Sequence, residues 1–160
     1  MSACKNSNVK NFIFSSLCSI YGNIKGSVNE RTKLNLQEYY AYTKFKGEEL
    51  IKQYARKYKF KYGILMYFNV AGASKTVKIG EVETSHNHLI KNIALQSKKK
   101  QPIVDIYGNN NYPTIDGTCI RDYIHVSDLA DIHIQSLKYL RKKKKSFVLN
   151  CGYEKGYSVR

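Results

Sequence analysis

Short apolar runs alternate along this chain with longer segments in which apolar residues recur at helical spacing. Residues 62–68 form a continuous apolar run, which is typical of a strand covered on both faces. The preceding segment, 38–57, carries aromatic and aliphatic residues near the helical period, at Tyr42, Phe45, Leu50, Ile51 and Tyr54. This alternation predicts an α/β fold in which crossover helices join the strands of a parallel sheet.

The remaining elements follow from the same two patterns. Further strands are predicted at 11–15, 103–107, 123–126 and 147–149. Helices are predicted at 88–98 and from a Ser127 cap to about residue 141, because Ser127 and Asp128 stand before a run of spaced aliphatic residues. Polar or glycine-containing segments predict loops at 23–37 and 69–86 and a turn-rich stretch at 108–122.

Length, apolar content and cysteine spacing exclude several classes of protein. A chain of 160 residues has room for one domain with a real core, or for a piece of a larger protein. No segment approaches the roughly 20 apolar residues of a membrane span, and no secretory signal is visible. The four cysteines are not paired as Cys-x-x-Cys, so reduced thiols in a cytoplasmic protein are predicted.

The net charge of +15 raises the question of nucleic-acid binding. Lysines account for most of the positive charge, and they cluster at 98–100 and 142–145 after helical patterns. Cations there suit a helix C-terminus and a solvated surface. Since no zinc-finger spacing, RNP-type strand or helix-turn-helix pattern accompanies them, no nucleic-acid partner is predicted. His86 and His88 are two residues apart, and no metal site is predicted from them.

A Tyr-x-x-x-Lys pair at Tyr40 and Lys44 is the first candidate for catalysis. On a helix this spacing brings both side chains to one face, about one turn apart. An ammonium group beside a phenol favours the phenolate, which can accept a proton. The spacing occurs four times in the chain, and about two occurrences are expected by chance. A surface pair is therefore the alternative for any one of them.

The context of that pair is more specific. Upstream stands the segment 12–22, which ends in Tyr21-Gly22; downstream stands 67–73, and then the run 112–130, which reads Y-P-T-x-D-G-T-x-x-R-D-Y-I-H-V-x-D-L-A. In this order the segments resemble the UDP-glucose 4-epimerase family, within the extended short-chain dehydrogenase/reductases. The resemblance covers about residues 9–159.

The resemblance implies a domain organisation. Residues 1–85 and 124–150 are expected to form the later half of a Rossmann-type, NAD-binding parallel sheet. Residues 86–123 and 151–160 are expected to form part of a small lobe that binds the nucleotide sugar. The family's Gly-rich NAD fingerprint does not occur in the sequence, so the chain is expected to be an internal fragment that lacks this turn and the C-terminal end.

The resemblance also implies roles for particular residues. Tyr40 matches the catalytic base, and Lys44 matches its partner, which also holds the nicotinamide ribose. Cofactor contacts are implied for Tyr40 and Lys44 and for Ser15, Ser16 and Phe68. Contacts to the substrate are implied for Asn69, His88, Leu89, Asp105, Ile106, Tyr107 and Arg121. Arg121 would bind the diphosphate, because its planar guanidinium can contact two phosphate oxygens; a local ion pair with Asp122 is the alternative. His125 is expected to be a packed strand histidine.

The implied activity is the NAD-dependent interconversion of UDP-glucose and UDP-galactose, in galactose metabolism. Tyr40 would take the proton of the sugar 4-hydroxyl while NAD accepts the hydride from C4. The family also implies a homodimer formed through the helix 38–57. Two alternatives remain, another nucleotide-sugar epimerase or dehydratase of the same superfamily, and a non-catalytic relic or partner-binding fragment. A dehydratase usually adds an Asp-Glu pair where this chain has Cys18-Ser19.

One residue departs from the family pattern. The family places Ser or Thr four residues before the tyrosine of the Tyr-Gly pair, and here that residue is Leu17. A leucine cannot bridge the substrate hydroxyl and Tyr40. Ser15 and Ser19 would share Leu17's face if the segment stayed extended, but each would lie about 6–7 Å along the strand.

Overall fold

The computed structural model describes residues 1–76, 78–82, 88–108 and 110–160; His86 lies outside these ranges. The helices are α1 (Ser2–Asn6), α2 (Tyr39–Tyr58), α3 (Leu89–Gln96) and α4 (Val126–Lys143), with a 3-10 helix at Cys18–Tyr21. The strands are β1 (Asn11–Leu17), β2 (Lys61–Tyr67), β3 (Asn69–Ala71), β4 (Ile120–His125), β5 (Phe147–Cys151) and β6 (Gly156–Ser158). None of the helices that the structure describes is long and apolar enough to cross a bilayer.

The first of two compact units comprises Met1–Phe68 and Ala130–Cys151. Its sheet has the order β1-β2-β5, and both pairings are parallel. The predicted α/β fold, with parallel strands and connecting helices, is therefore confirmed. Because β2 is the central strand, its apolar run is buried, and Ile64, Leu65 and Met66 form the centre of the core.

Helix α2 begins after Glu38 and ends at Tyr58, just before Lys59, which adopts a left-handed conformation. It buries a narrow face that includes Ala41, Ile51 and Ala55. Ala41 packs with Ile64 and Met66 in one cluster, while Ile51 and Ala55 pack with Phe60 in another. The predicted helix 38–57 is confirmed to within one residue at each end.

The second unit comprises Asn69–Leu129 and Gly152–Arg160. Its sheet has the order β3-β4-β6, in which β3 pairs with β4 in parallel and β6 pairs with β4 antiparallel. Strand β3 lies inside the segment 69–86, which was predicted to be a loop. The assignment of the two units to an NAD-binding domain and a substrate lobe, with the boundaries predicted above, stays a prediction.

Two local predictions were wrong. Residues 103–107 form no strand; Ile103 and Tyr107 are 68% and 78% exposed, and no described strand pairs with them. The cap of α4 also differs, because the helix begins at Val126 and Ser127 lies inside its first turn. The Ser127 N–H donates to His125 Nδ1 over 3.2 Å, so the imidazole ring takes the capping role that was predicted for the serine.

Candidate functional site

Tyr40 and Lys44 lie on one face of α2, near its N-terminus. The Lys44 Nζ is 5.7 Å from the centre of the Tyr40 ring and donates to the Ser15 carbonyl oxygen over 3.1 Å. It also lies 5.5 Å from the centre of the Phe14 ring. Tyr40 is 60% exposed, so the residue is accessible from solvent. The structure therefore places an ammonium group beside an accessible phenol.

The same spacing gives a different environment at Tyr42 and Lys46. Lys46 Nζ is 5.5 Å from the centre of the Tyr42 ring. However, Lys46 also forms an ion pair with Glu49 at 2.7 Å, and the hydrogen bond to Glu49 raises the pKa of Lys46. The positive charge beside Tyr42 is thus shared with a carboxylate. Lys44 has no carboxylate partner among the described residues, which distinguishes the two pairs.

The end of β1 carries three of the other residues that the sequence placed near the cofactor and the base. Leu17 is the last residue of β1, opposite Tyr67 of β2, and it is half-buried. The Ser15 hydroxyl lies 3.3 Å from His133 Nε2. Ser16 is buried, and its hydroxyl donates to Glu48 Oε1 over 2.5 Å. The Ser16 hydroxyl is therefore engaged by a protein carboxylate.

Neither serine substitutes in an obvious way for the hydroxyl missing at Leu17. Ser19 lies in the 3-10 helix, so the extended conformation that would bring it to Leu17's face is not present. Ser15 does lie on the same side of β1 as Leu17, since side chains alternate along a strand. Its hydroxyl is within hydrogen-bond distance of His133.

Tyr21 of the Tyr-Gly pair is part of the core rather than of the accessible surface. It is buried, and its hydroxyl donates to Asn150 Oδ1 over 2.8 Å. The Asn150 N–H in turn donates to Glu30 Oε1 over 2.8 Å. Burial raises the pKa of Tyr21 to about 12. Glu30 therefore ties the segment 23–37 to β5, and Tyr21 stays protonated at neutral pH.

Phe68 and Asn69 follow the buried strand β2. The Phe68 N–H donates to the Cys151 carbonyl over 3.3 Å, which continues the pairing of β2 with β5 by one residue. Asn69 begins β3 in the second unit, where its Nδ2 donates to the Asp122 carbonyl over 3.0 Å. Parallel α/β sheets bind ligands at the carboxyl ends of their strands, and Leu17 and Phe68 both lie at that end of their sheet.

The remaining candidates lie in the second unit. His88 precedes the first residue of α3, and its Nδ1 lies 2.6 Å from Glu81 Oε1. Leu89 is the half-buried first residue of α3. Asp105, Ile106 and Tyr107 lie in a segment without regular secondary structure, with Asp105 and Tyr107 exposed. No group of three or more His, Cys, Asp or Glu side chains among the described residues is arranged to hold a metal ion.

Arg121 lies on the exposed face of β4 and has no carboxylate partner among the described residues. Its Nη1 donates to the neighbouring Ile120 carbonyl over 3.3 Å. The Asp122 carboxylate faces other groups and accepts the N–H groups of Tyr153 and Glu154, each over 3.1 Å. The structure thus does not contain the local Arg121–Asp122 ion pair that was the alternative.

The loop before Arg121 is held together by Asp116. Its Oδ1 accepts the Thr118 N–H over 2.9 Å and the Thr118 hydroxyl over 2.7 Å. Hydrogen bonds from Ser158 and Thr118 hold the pKa of Asp116 well below its usual range. The buried Thr118 hydroxyl also accepts the Val159 N–H over 3.0 Å. This part of the motif therefore connects the start of β4 with the end of β6.

His125 was expected to be a packed strand histidine, and it is instead exposed at the end of β4. Its ring lies over Gly72, where a side-chain Cβ would clash with Nε2. The His125 N–H donates to the Tyr153 hydroxyl over 3.1 Å, and that hydroxyl donates to Asp128. The run Asp122–Asp128 therefore holds the turn at Tyr153, a role that the sequence did not indicate.

Glu48 is a further residue that was not predicted from the sequence. This residue follows Lys44 by four positions, as Lys44 follows Tyr40, and Lys52 extends the series by one more turn. The repeated spacing places all four side chains on one stripe of the helix. Taken together, these four residues could have predicted a charged stripe of the helix that faces β1.

Known proteins resemble this chain over nearly its whole length. The model of the NAD dependent epimerase/dehydratase family matches residues 1–152. The chain belongs to that family. A UDP-glucose 4-epimerase of Lactobacillus helveticus is 40% identical over 159 residues, which is 99% of this chain and 48% of the relative.

Solved structures of family members show the same fold. UDP-glucose 4-epimerase from Brucella ovis in complex with NAD superimposes with a TM-score of 0.91 at 35% identity, over 99% of this chain and 49% of that one. The enzyme from Bifidobacterium longum in complex with NAD+ and UDP gives a TM-score of 0.87 at 31% identity, over 99% and 48%. The chain thus spans about half the length of the epimerase/dehydratase relatives that it matches.

Proposed function

We propose that the protein containing this chain is an NAD-dependent UDP-glucose 4-epimerase that interconverts UDP-glucose and UDP-galactose. The observation that carries the proposal is the accessible Tyr40 phenol beside the Lys44 ammonium on α2. Membership of the NAD dependent epimerase/dehydratase family supports it. So do relatives at 35–40% identity that are UDP-glucose 4-epimerases.

In the proposed reaction Tyr40 exchanges a proton with the sugar 4-hydroxyl. The Lys44 ammonium lies close to the Tyr40 ring, so it would stabilise the negative charge that develops on the phenol oxygen during proton transfer. The hydrogen bond from Lys44 to the Ser15 carbonyl orients the ammonium group. Since an ammonium group has three N–H donors, two remain for a ribose hydroxyl. NAD, when bound, supplies the acceptor and donor of hydride at the sugar C4.

The residues of the first unit fit the nicotinamide end of that cofactor. Lys44, Tyr40 and Leu17 lie at or beside the carboxyl end of β1, and Phe68 follows the same end of β2, where α/β sheets bind ligands. Ser15 and Ser16 would contribute main-chain groups or shape, because their hydroxyls lie within hydrogen-bond distance of His133 and Glu48.

The second unit would bind the UDP part of the substrate. Arg121 offers a guanidinium group without a carboxylate among the described residues, which suits a diphosphate. The exposed segment at Asp105, Ile106 and Tyr107 offers an aromatic ring and a carboxylate to the uracil. Asn69, His88 and Leu89 complete the set that we propose for the substrate.

Arg121 and its neighbour Asp122 are expected to give opposite results when they are replaced. Arg121→Lys should weaken UDP binding by about 1–3 kcal/mol, the scale of hydrogen bonds to a charged group, with little change in melting temperature. Asp122→Ala should lower the melting temperature, because two backbone N–H groups lose their acceptor. Calorimetric titration with UDP and thermal unfolding measure the two effects. A sharp fall in melting temperature for Arg121→Lys, with unchanged UDP affinity, would show that Arg121 is structural.

The proposed activity is tested in the full-length protein. UDP-galactose and UDP-glucose are supplied in separate reactions with NAD, and the products are separated by ion-exchange chromatography. An epimerase brings both reactions to the same ratio of the two sugars. Formation of a 4-keto-6-deoxy sugar nucleotide would favour a dehydratase of the same superfamily. No conversion from either side would contradict the proposal.

The proposal extends to assembly and location. Tyr39, Tyr42 and Leu50 are exposed on α2, which supports a homodimer formed through that helix. None of the four cysteines forms a disulfide bond, which supports a reducing compartment and a role in cytoplasmic galactose metabolism.

A non-catalytic role is the second candidate, and Leu17 is the observation that favours it. The residue ends β1 without a hydroxyl group, at the position where the family places Ser or Thr. The activity measurements above and the Leu17 variant discussed below separate the two candidates.

A further inference from the structure

We propose that Glu48 is a positioning residue, which sets the register of α2 on β1 and thereby places Lys44 and Tyr40. The inference rests on the proposed function for its catalytic consequence. Its structural part concerns the described residues of the first unit alone. It starts from a buried carboxylate that the proposed reaction does not use.

Glu48 is the one acidic side chain on the buried face of α2, with 2% of its surface exposed. Its Oε1 accepts the Ser16 hydroxyl over 2.5 Å, and its Oε2 lies 3.3 Å from Lys52 Nζ. Hydrogen bonds to a charged acceptor are shorter and stronger than neutral ones. A buried carboxylate is costly unless it is paired in this way, so the contact with Ser16 is strongly directional.

Two contacts one helical turn apart therefore meet two successive residues of β1. Glu48 binds the Ser16 side chain, and Lys44 binds the Ser15 carbonyl. A shift of α2 by one turn, about 5.4 Å, would break both contacts at once. Apolar contacts such as those of Ile51 tolerate small shifts, because they have no preferred direction. The polar pair thus fixes the position of the helix along the strand.

Gly47 makes this close approach possible. A Cβ at this position would stand 2.9 Å from Phe14 Cζ, which is too close for a carbon–carbon contact. The absence of a side chain lets α2 pack directly on the Phe14 ring. The same ring lies 5.5 Å from Lys44 Nζ. The packing of α2 on Phe14 therefore also limits the positions that the ammonium group can take.

The ion pair between Glu48 and Lys52 also affects Lys44. Glu48 stands four residues from both lysines, and either could pair with it on the helix surface. The structure pairs Glu48 with Lys52 on one oxygen and Ser16 on the other. Both oxygens are engaged, and the Lys44 ammonium lies beside Ser15 and Tyr40 instead. The arrangement keeps one positive charge available for the phenol.

The test uses the full-length protein with Glu48→Ala, Glu48→Gln and the control Glu49→Gln, which removes a partly exposed carboxylate from the next position. Glu48→Ala is expected to lower kcat about 10–100-fold, because small displacements of catalytic groups have effects of this order. KM for the UDP-sugar should stay within about 2-fold. Glu48→Gln should restore much of the rate, since its amide oxygen still accepts the Ser16 hydrogen bond. The control should behave as the unaltered protein.

Hydrogen exchange in residues 39–47 is measured in the same variants and does not depend on turnover. Faster exchange in Glu48→Ala, but not in Glu49→Gln, supports the anchoring of α2. Unchanged exchange overturns the proposal, whether or not the protein is an epimerase. An inactive unaltered protein would contradict the proposed function, and the exchange result would still decide the structural part.

Further results would also overturn the proposal. One is a normal kcat for folded Glu48→Ala. Another is an equal loss of kcat in the Gln and Ala variants, which would show that the negative charge of Glu48 matters and its hydrogen bond to Ser16 does not. If Glu48→Ala does not fold, Ser16→Ala replaces it, because it removes the same hydrogen bond and keeps the Glu48–Lys52 pair. A normal kcat for Ser16→Ala then contradicts the positioning role.

Discussion

Tyr40→Phe is expected to lower kcat for UDP-galactose by about 10²–10⁴-fold, the usual contribution of a positioned proton-transfer group. The change removes one oxygen and keeps the ring near Lys44. Because the Tyr40 side chain is 60% exposed, the melting temperature should hardly change. Steady-state rates at saturating UDP-galactose, with NAD present, measure the effect.

Tyr42→Phe is the matched control for this experiment. Tyr42 also precedes a lysine by four residues on α2, and its ring lies 5.5 Å from Lys46 Nζ. That lysine is paired with Glu49, so Tyr42 is not expected to act as a base. Equal losses in both variants would indicate damage to the helix. Normal turnover of Tyr40→Phe would remove Tyr40 from the proposed reaction.

Leu17→Ser is expected to raise kcat by about 10²-fold, with a smaller effect on KM, because it supplies the hydroxyl that can relay a proton between the sugar and Tyr40. Leu17 is extended at the end of β1, immediately before the 3-10 helix. The bulk of the leucine side chain would also crowd the 4-hydroxyl, so tighter substrate binding is expected to accompany the gain. Rates for both proteins, measured over a range of UDP-galactose concentrations, give kcat and KM.

Cys18→Ser is the control for the Leu17 change. It adds a hydroxyl one residue further along, in the 3-10 helix, and should leave kcat near that of the unaltered protein. If the protein with Leu17 already turns over at a rate typical of epimerases, Leu17 does not limit the reaction. The relay would then have to use water or the Ser15 hydroxyl, which lies 3.3 Å from His133.

The helices and strands that could be predicted are those whose own residues form a clear apolar pattern. The run 62–68 and the helix 38–57 bury continuous or periodic apolar residues, and both were found almost as predicted. Strands β3 and β6 have only three residues each and depend on pairing with β4. Their own composition does not distinguish them from loops. The run 103–107 has the composition of a strand but no partner among the described strands.

The candidate site was predictable to a similar extent. The resemblance singled out Tyr40, Lys44 and Arg121, and their roles stay predictions. The partners of these residues could not be read from spacing, because the Ser16–Glu48 bond joins residues 32 positions apart. The structural role of Asp122 could not be predicted from the sequence either, because it depends on N–H groups at Tyr153 and Glu154.

Both compact units are built from two separate stretches of chain, and these stretches alternate along the sequence. During synthesis, β4 emerges well before its antiparallel partner β6, and β2 emerges well before β5. Asp122 and Thr118 must likewise wait for Tyr153 and Val159. The first sheet therefore gains β5 only when residues 147–151 have been added, and the second gains β6 only with residues 156–158. Both units thus gain the last of their described strands within a few residues of translation.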